Sequence, residues 1–119
     1  MADSPERERA MTPEDIPRLF VQLVEAGDWD GLVTLYEPDA ILARGDGEIV
    51  HGNTAIAATF AQGFRGQPLD VSGNELQPVL RAGDLALTST RRRDGRVTAE
   101  VAHRQPDGSW RWVIDQPDV

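Results

Sequence analysis

The apolar residues near the start of the chain recur at helical spacing. They form one stripe that consists of Ile16, Leu19, Phe20, Leu23 and Val24, which predicts an amphipathic helix. Two starting points stay open: Thr12, where a capping box precedes a proline at the first helical position, and Asp15, because Pro17 would remove an internal hydrogen bond from the longer helix. Residues 1–11 are polar without apolar periodicity, so we expect them to form a disordered tail.

A second and a third helix are predicted before the pattern changes. Gly27 ends the first helix and Asp28 caps the second. The second helix has an apolar face that contains Trp29, Leu32, Val33 and Tyr36, and Pro38 ends it. The third helix covers residues 53–62 and begins at Asn53, which is a favourable N-cap residue.

The other segments are typical of strands. Short strands are expected at residues 40–43 and 48–50, on either side of a glycine-rich turn. Beyond residue 67 the pattern predicts five more, at residues 69–72, 75–81, 85–92, 96–104 and 109–116. Pairs such as Asp94-Gly95 and Asp107-Gly108 separate them as turns. Helices followed by antiparallel strands predict an α+β domain.

Length and charge limit the classes of function. A chain of 119 residues with a net charge of −8 is one domain by size. Its acidity disfavours nucleic acid and anionic membranes as partners. Without cysteine the chain has neither disulfides nor thiolate ligands, and His51 and His103 lie too far apart in sequence to indicate a metal site. No cofactor is expected, and the cytoplasm is the expected location because the N-terminus lacks an apolar signal.

Two stretches of the chain resemble a known superfamily. They are Ala26-Gly-Asp-Trp-Asp-Gly-Leu-Val-Thr-Leu-Tyr36, continued by Glu-Pro-Asp-Ala-Ile-Leu42, and Val50-His-Gly-Asn-Thr-Ala-Ile-Ala-Ala-Thr-Phe60. They are similar to the N-terminal half of the nuclear-transport-factor-2-like superfamily, which includes ketosteroid isomerases and SnoaL-like polyketide cyclases. The resemblance implies that residues 12–119 form a cone-shaped α+β domain, with three N-terminal helices packed on a strongly curved antiparallel sheet around an internal pocket. The superfamily hosts many reactions, so the resemblance specifies fold better than function.

The resemblance also disfavours one reaction. Ketosteroid isomerase, a standard example of an enzyme with tuned pKa values, uses a carboxylate base together with a tyrosine and a protonated aspartic acid. The matching positions in this chain are Arg44, Phe20 and Glu100. Arginine does not abstract protons at neutral pH and phenylalanine does not donate hydrogen bonds. Steroid isomerisation by that mechanism is therefore not expected.

The last hairpin carries the remaining candidate chemistry. If residues 105–108 form its loop, Glu100 lies opposite Val113 and Thr98 lies opposite Asp115. Glu100 and Asp115 then share one face, and Trp112 and Ile114 share the other. The apolar pattern alone places the second face in the core. The resemblance implies instead that the first face lines the pocket and that the second, with Trp110 and Trp112, contacts the partner in a homodimer.

We adopt the orientation that the resemblance implies, which leaves two hypotheses for function. In the first, the protein is a lyase, isomerase or cyclase in which Asp115 acts as acid or base, Glu100 is its partner and Arg44 stabilises negative charge. In the second, the protein binds a small hydrophobic or ring-containing molecule without catalysis, or serves as an association domain. The expected ligand-binding residues are Arg44, Trp29, Tyr36, Phe20, Phe60, Phe64, Leu87 and Val113.

Overall fold

Two helices open the domain and are joined by a tight turn. The computed structural model describes residues 7–64 and 69–119. Helix α1 covers Asp15–Ala26 and buries Ile16, Leu19 and Val24, and it ends at Gly27 in the left-handed conformation, with φ of 67°. Because α1 begins at Asp15 and not at Thr12, Pro17 lies in the first turn, where an N–H group has no partner within the helix anyway. Helix α2 covers Trp29–Val33, and the Asp28 carboxylate caps it by accepting from the Gly31 N–H at 3.0 Å.

The second helix is shorter than its apolar pattern predicts. The chain leaves α2 after Val33 and enters strand β1, Tyr36–Ala43. Tyr36 therefore belongs to a strand, not to the helix, and Pro38 lies inside this strand. The register between β1 and its neighbour shifts between Tyr36 and Ile41, and such an irregular stretch tolerates a residue that lacks an N–H group.

The next elements agree with the pattern. Strand β2, Ile49–His51, pairs with β1, and helix α3 covers Asn53–Gly63. Asn53 was predicted to be the N-cap of α3, but it is the first helical residue. The N-cap is Gly52, which has a φ of 92°, a backbone conformation that favours glycine. The Gly52 N–H also donates to the Ala40 carbonyl at 2.8 Å. This contact attaches the start of α3 to the first strand.

The C-terminal half is divided into more strands than the pattern predicts. The strands are β3 (Glu75–Leu76), β4 (Leu80–Ala82), β5 (Leu85–Thr88), β6 (Thr90–Arg91), β7 (Ala99–Arg104) and β8 (Trp110–Gln116). The expected strands at 75–81 and 85–92 are each interrupted, and residues 69–72 form no strand. Alternation of side chains indicates which residues can lie in strands, but backbone pairing decides where each strand ends.

The main sheet is mixed rather than wholly antiparallel. Its six strands lie in the order β2-β1-β8-β7-β5-β4, and β3 and β6 form a separate pair. Strands β1 and β8 run parallel, whereas the other pairs are antiparallel. The first and last long strands thus become neighbours at the centre of the sheet. We call the sheet face that packs on the helices the inner face. The core lies between this face and the helices, and its buried members include Ile16, Leu19, Leu32, Tyr36, Leu42, Ile56, Ala86, Ala102, Trp110 and Trp112.

Part of the expected N-terminal tail packs on the domain. Residues 1–6 lie outside the described residues. Ala10 is buried, and its carbonyl accepts a hydrogen bond from the Trp110 N–H at 2.7 Å. Arg7 pairs with Asp28 at 2.9 Å and Arg9 with Asp107 at 3.2 Å. Residues 7–10 therefore connect the α1–α2 turn to the last hairpin.

A β-bulge at Val113 determines the orientation of the last strand. Ala102 pairs with Trp112 and Val101 pairs with Ile114, so Val113 is an extra residue in β8. A bulge of this kind changes the side on which every later residue points. Trp112 and Asp115 are consequently both buried on the inner face, while Ile114 is 44% exposed. The predicted pairing of Glu100 with Val113 was wrong for two reasons: Arg104 pairs with Trp110 and not with Ser109, which shifts the hairpin register by one residue, and the bulge at Val113 shifts it by one more.

Candidate active site on the inner sheet face

Asp115 lies at the centre of the inner face. It is 4% exposed, and β8 places it between Leu42 on β1 and Glu100 on β7. The Tyr36 hydroxyl donates a hydrogen bond to its Oδ2 atom at 2.5 Å. Tyr36 reaches this position because it begins β1, on the same face as Leu42. The strand assignment of Tyr36 therefore supplies a polar contact that a helical residue would not have made.

Glu100 is held from the opposite side by a chain of two hydrogen bonds. The Thr88 hydroxyl lies 2.6 Å from Glu100 Oε1, and the Trp112 Nε1 atom lies 3.1 Å from the same hydroxyl oxygen. An indole N–H can only donate, so Thr88 accepts from Trp112 and gives its own proton to Glu100. We call Tyr36, Thr88, Glu100, Trp112 and Asp115 the acid–aromatic cluster.

Burial shifts the acid–base properties of both carboxyl groups. It raises the pKa of Asp115 to about 7, an effect that the hydrogen bond from Tyr36 opposes and the nearby Glu100 carboxylate adds to. Burial likewise raises the pKa of Glu100, although hydrogen bonds from Thr88 and Thr98 lower it. Burial and the Asp115 carboxylate raise the pKa of Tyr36 well above its ordinary value. At neutral pH, Tyr36 is therefore a proton donor in a hydrogen bond, and Asp115 is present in both charged and neutral forms.

One oxygen of Asp115 has no hydrogen-bond partner among the described side chains. Tyr36 occupies Oδ2, and no other described side chain hydrogen-bonds to the carboxyl group. In the same part of the chain, no fully enclosed side-chain nitrogen or oxygen lacks a hydrogen-bond partner. Oδ1 is therefore not completely enclosed, and Asp115 as a whole is 4% exposed. Oδ1 carries the proton when Asp115 is neutral, because Oδ2 accepts from Tyr36.

Aromatic rings form a continuous wall beside the carboxyl groups. Phe20 packs edge-on against Phe60 at 5.1 Å between ring centroids and lies 5.9 Å from Trp112. Tyr36 stacks on Phe60 at 6.4 Å, and Phe60 stacks on Phe64 at 6.1 Å. Phe20, Phe60 and Phe64 are only half-buried. Such partly accessible rings suit contact with an apolar or ring-containing molecule.

The structure brings together most, but not all, of the predicted site residues. Tyr36, Phe20, Phe60 and Phe64 adjoin the carboxyl groups as described, and Trp29 is half-buried against the core. Arg44 lies instead in the β1–β2 turn, where it is 47% exposed and pairs with Asp46 at 2.7 Å. Leu87 is on the opposite sheet face because its neighbours Ala86 and Thr88 point inward. Val113 is the bulged residue and is half-buried.

The two C-terminal tryptophans are not where a partner subunit could contact them. Trp110 is 2% exposed and Trp112 is 4% exposed. The expectation that these residues form the dimer surface was therefore wrong, because Arg104 pairs with Trp110 and not with Ser109, and this shift of one residue in the hairpin register turns both tryptophans into the core. The Arg81 guanidinium lies over the Trp110 ring at 5.1 Å, so even the accessible edge of this residue is covered by the chain's own side chain.

Two residues of functional interest were not anticipated from the sequence. Thr88 belongs to β5, where Leu85 and Leu87 dominate the apolar pattern and the smaller residues between them give a weak signal. Glu37, on the outer side of β1, accepts a hydrogen bond from Gln105 at 2.6 Å and lies 2.7 Å from His103 Nδ1. Neither contact has a local signature, because each joins residues distant in sequence. Within the described residues, no group of three or more His, Cys, Asp or Glu side chains is suited to hold a metal.

The fold and the buried carboxyl pair define a class of proteins. Helices packed on one face of a mixed sheet, with ionisable groups on that face, are the architecture of nuclear-transport-factor-2-like domains. The chain belongs to the SnoaL-like domain family, whose model matches residues 18–115. No curated protein sequence matches the chain.

Solved structures show the same fold. A protein from Thiobacillus denitrificans, assigned as a calcium/calmodulin-dependent protein kinase type II association domain, is 18% identical, with a TM-score of 0.76 and coverage of 93% of this chain and 98% of that one. A ketosteroid isomerase-like protein from Erwinia carotovora atroseptica is 15% identical, with a TM-score of 0.69 and coverage of 87% and 89%. A nuclear-transport-factor-2-like protein from Novosphingobium aromaticivorans is 26% identical, with a TM-score of 0.62 and coverage of 86% and 75%.

The structure also bears on membranes. Within residues 7–64 and 69–119, no helix combines the length and the apolar character needed to cross a bilayer.

Proposed function

We propose that the protein binds a small, mainly apolar molecule on the inner face and transfers a proton to or from it through Asp115. The reaction class is isomerisation, cyclisation or elimination, in which a carbon-bound or hydroxyl proton moves without a cofactor. The observation that carries this proposal is a buried aspartate with one oxygen held by Tyr36 and the other without a hydrogen-bond partner among the described side chains. A general acid or base works best when its pKa is near the working pH, and that of Asp115 is raised to about 7.

The neighbouring residues have distinct parts in this proposal. Tyr36 fixes the orientation of Asp115, so that Oδ1 is the atom that exchanges the proton. Glu100, the cross-strand neighbour of Asp115, keeps the pKa of Asp115 high. Arg44 has no part, because it is paired at the surface. Negative charge on a substrate oxygen would then be stabilised by a hydrogen bond from neutral Asp115 rather than by a cation.

The alternative function is binding without catalysis. It uses the same aromatic wall and the same carboxyl groups, so the fold supports both equally. The two differ in whether Asp115 exchanges its proton with the ligand during a reaction. A test therefore needs a substrate that reports on any accessible base in an apolar environment.

Elimination of 5-nitrobenzisoxazole provides this test. A base takes the carbon-bound proton, and the N–O bond opens to give a coloured phenolate. We expect the wild-type rate to rise with pH and to level off above about pH 7, as Asp115 ionises. Asp115→Asn should lower kcat/KM by about a hundredfold, the usual effect of losing a general base.

Matched variants separate the proposed base from other carboxylates. Asp46→Asn removes an exposed carboxylate in the β1–β2 turn and should leave the rate unchanged. Equal rates for wild type and Asp115→Asn would contradict the catalytic role of Asp115. If the substrate analogue 5-nitroindazole still bound under those conditions, the protein would be a binding domain.

A second proposal concerns assembly. We infer that the protein forms a homodimer through the outer face of the sheet, and not through Trp110 and Trp112 as the sequence suggested. A row of apolar residues crosses this face in register: Leu80, Leu87, Val101, Ile114 and Ile41. Leu80 is 65% exposed and Leu87 40% exposed. A second copy presents the same row, so a two-fold pairing would bury both rows at once. The association domain among the similar structures agrees with such a role.

A further inference from the structure

The charge of the acid–aromatic cluster carries information on the ligand. Glu100 and Asp115 are the ionisable carboxyl groups among the buried polar residues of the described chain, the other two being Thr88 and Ser109. Neither carboxyl group has an arginine or histidine within salt-bridge distance in the described residues. The charge of the cluster therefore ranges from neutral to doubly negative. An anionic ligand would meet repulsion, and a neutral one would gain at most a hydrogen bond from the carboxylates.

The aromatic wall also favours a positively charged ligand over an anionic one. The face of an aromatic ring carries negative electrostatic potential and attracts cations, with ammonium groups bound most effectively where several rings converge. Tyr36 joins the two features, because it hydrogen-bonds to Asp115 and stacks on Phe60. Trp112 also joins the two features. Its indole N–H donates to the Thr88 hydroxyl, which in turn donates to Glu100, and its ring contacts Phe20. Rings and carboxyl groups thus adjoin one another.

We propose that the ligand of this site is an organic cation, a protonated or quaternary amine attached to an apolar or aromatic body. This inference rests on the proposed small-molecule site and specifies its ligand class. The ammonium group would contact Asp115 Oδ1, and the apolar part would lie along Phe20, Phe60 and Phe64. A cation placed there offsets the repulsion between the two carboxylates, so binding favours their ionisation.

The groups that face Asp115 define how binding depends on pH. Tyr36 from β1 stays neutral, Glu100 from β7 is acidic, and Thr88 from β5 does not titrate. The helices contribute phenylalanines. Protonation of Asp115 removes a negative partner of the cation, so affinity should increase as pH rises through about 7. From about pH 6 to pH 8, the ionised fraction, and with it the affinity, would grow about tenfold.

The experiment compares three probes that share one ring and differ in charge. Benzyltrimethylammonium is a permanent cation, benzyl alcohol is neutral and benzoate is an anion, and isothermal titration calorimetry measures each affinity at pH 8. We expect the cation to bind at least tenfold more tightly than the alcohol and the anion to bind more weakly than either. Its affinity should fall about tenfold at pH 6, whereas that of the alcohol should not change.

Variants test whether the acid–aromatic cluster is responsible. Asp115→Asn should abolish most of the preference for the cation, and Glu100→Gln should reduce it independently, so one variant suffices if the other does not fold. Asp46→Asn should keep the full preference, which separates the site from general attraction to an acidic protein. Benzyl alcohol binding as tightly as the cation would overturn the inference but leave the small-molecule site intact. Absence of binding by all three probes would overturn both.

Discussion

At the scale of single residues, Asp115 is unusual because its surroundings do not favour its charge. Burial and Glu100 both raise its pKa, and the Tyr36 hydrogen bond only partly opposes them. Strongly shifted pKa values of this kind cluster at functional sites. Asp115 could be proposed from the sequence, because the predicted last hairpin placed it on the same face as Glu100. Thr88 could not, because its importance depends on Glu100 and Trp112, which are distant in sequence.

The raised pKa of Asp115 predicts how stability depends on pH. The folded-state pKa of about 7 exceeds the ordinary 3.8, so the folded state binds the proton more tightly. Stability from this group is full below about pH 4 and is lost as pH rises toward 7. Replacement by the uncharged isostere should therefore stabilise the protein at alkaline pH. We expect Asp115→Asn to gain about 2–4 kcal/mol at pH 8 and about 40% of that gain at pH 5, measured by urea denaturation.

Asp46→Asn is the matched control, because the Asp46 side chain is 49% exposed. Its effect on stability should be small and should not grow between pH 5 and pH 8. A wild-type stability that does not fall over this range would contradict the raised pKa.

The hydrogen bond from Tyr36 makes a separate prediction. It stabilises the charged form of Asp115, so Tyr36→Phe should raise the pKa of Asp115 further. The pH–rate profile for 5-nitrobenzisoxazole should move to higher pH, with a several-fold loss of rate at pH 7 and a smaller loss at pH 9. A profile that keeps its midpoint while the rate falls equally at all pH values would show that Tyr36 only supports packing.

At the scale of elements, the bulge in β8 decides the chemistry of the inner face. Trp112 and Asp115 are three residues apart, so both can be buried only because the bulge leaves Val113 as an extra, unpaired residue between them. The helices could be predicted because their periodicity and their glycine stops are local features. The bulge could not, because Val113 has no distinctive backbone requirement and the extra residue is recognised only by the pairing of β8 with β7.

Deletion of Val113 tests the role of the bulge. The deletion leaves Trp112 and Asp115 two positions apart, so regular alternation keeps both on the inner face, opposite Ala102 and Glu100. We therefore expect the deletion variant to fold, with a loss of about 1–3 kcal/mol from the altered path of the strand. Val113→Ala keeps the bulge and should cost about 1 kcal/mol. A deletion variant that fails to fold, as judged by thermal and urea unfolding, would mean that the bulge does more than accommodate the spacing of Trp112 and Asp115.

At the scale of the whole molecule, the sheet has two apolar faces. The inner face packs on the helices, and the outer face carries the row from Leu80 to Ile41 across strands. The sequence indicated an apolar outer surface and a homodimer; Ile114 does lie on the outer face, but Trp110 and Trp112 are buried. Leu87 was expected in a pocket because alternation separates two sets of residues but does not say which set points inward.

The outer row predicts the oligomeric state. Wild-type protein should be dimeric at micromolar concentration in sedimentation equilibrium, and the double variant Leu87→Glu, Ile114→Glu should be monomeric, because like charges would meet across the two-fold axis. Thr54→Glu, on the exposed side of α3, should remain dimeric. A monomeric wild type would contradict the interface, and far-UV circular dichroism would verify that the variants are folded.

The sequence by itself determined the helices α1 and α3, the α+β class, the superfamily and the two carboxyl groups available for chemistry. Each of these depends on local spacing or on residue type. Only the tertiary structure decided that Tyr36 begins a strand, that Glu100 lies beside Asp115 and that Arg44 stays at the surface. These facts depend on strand register and on one bulge, where a shift of a single residue exchanges the inner and outer faces.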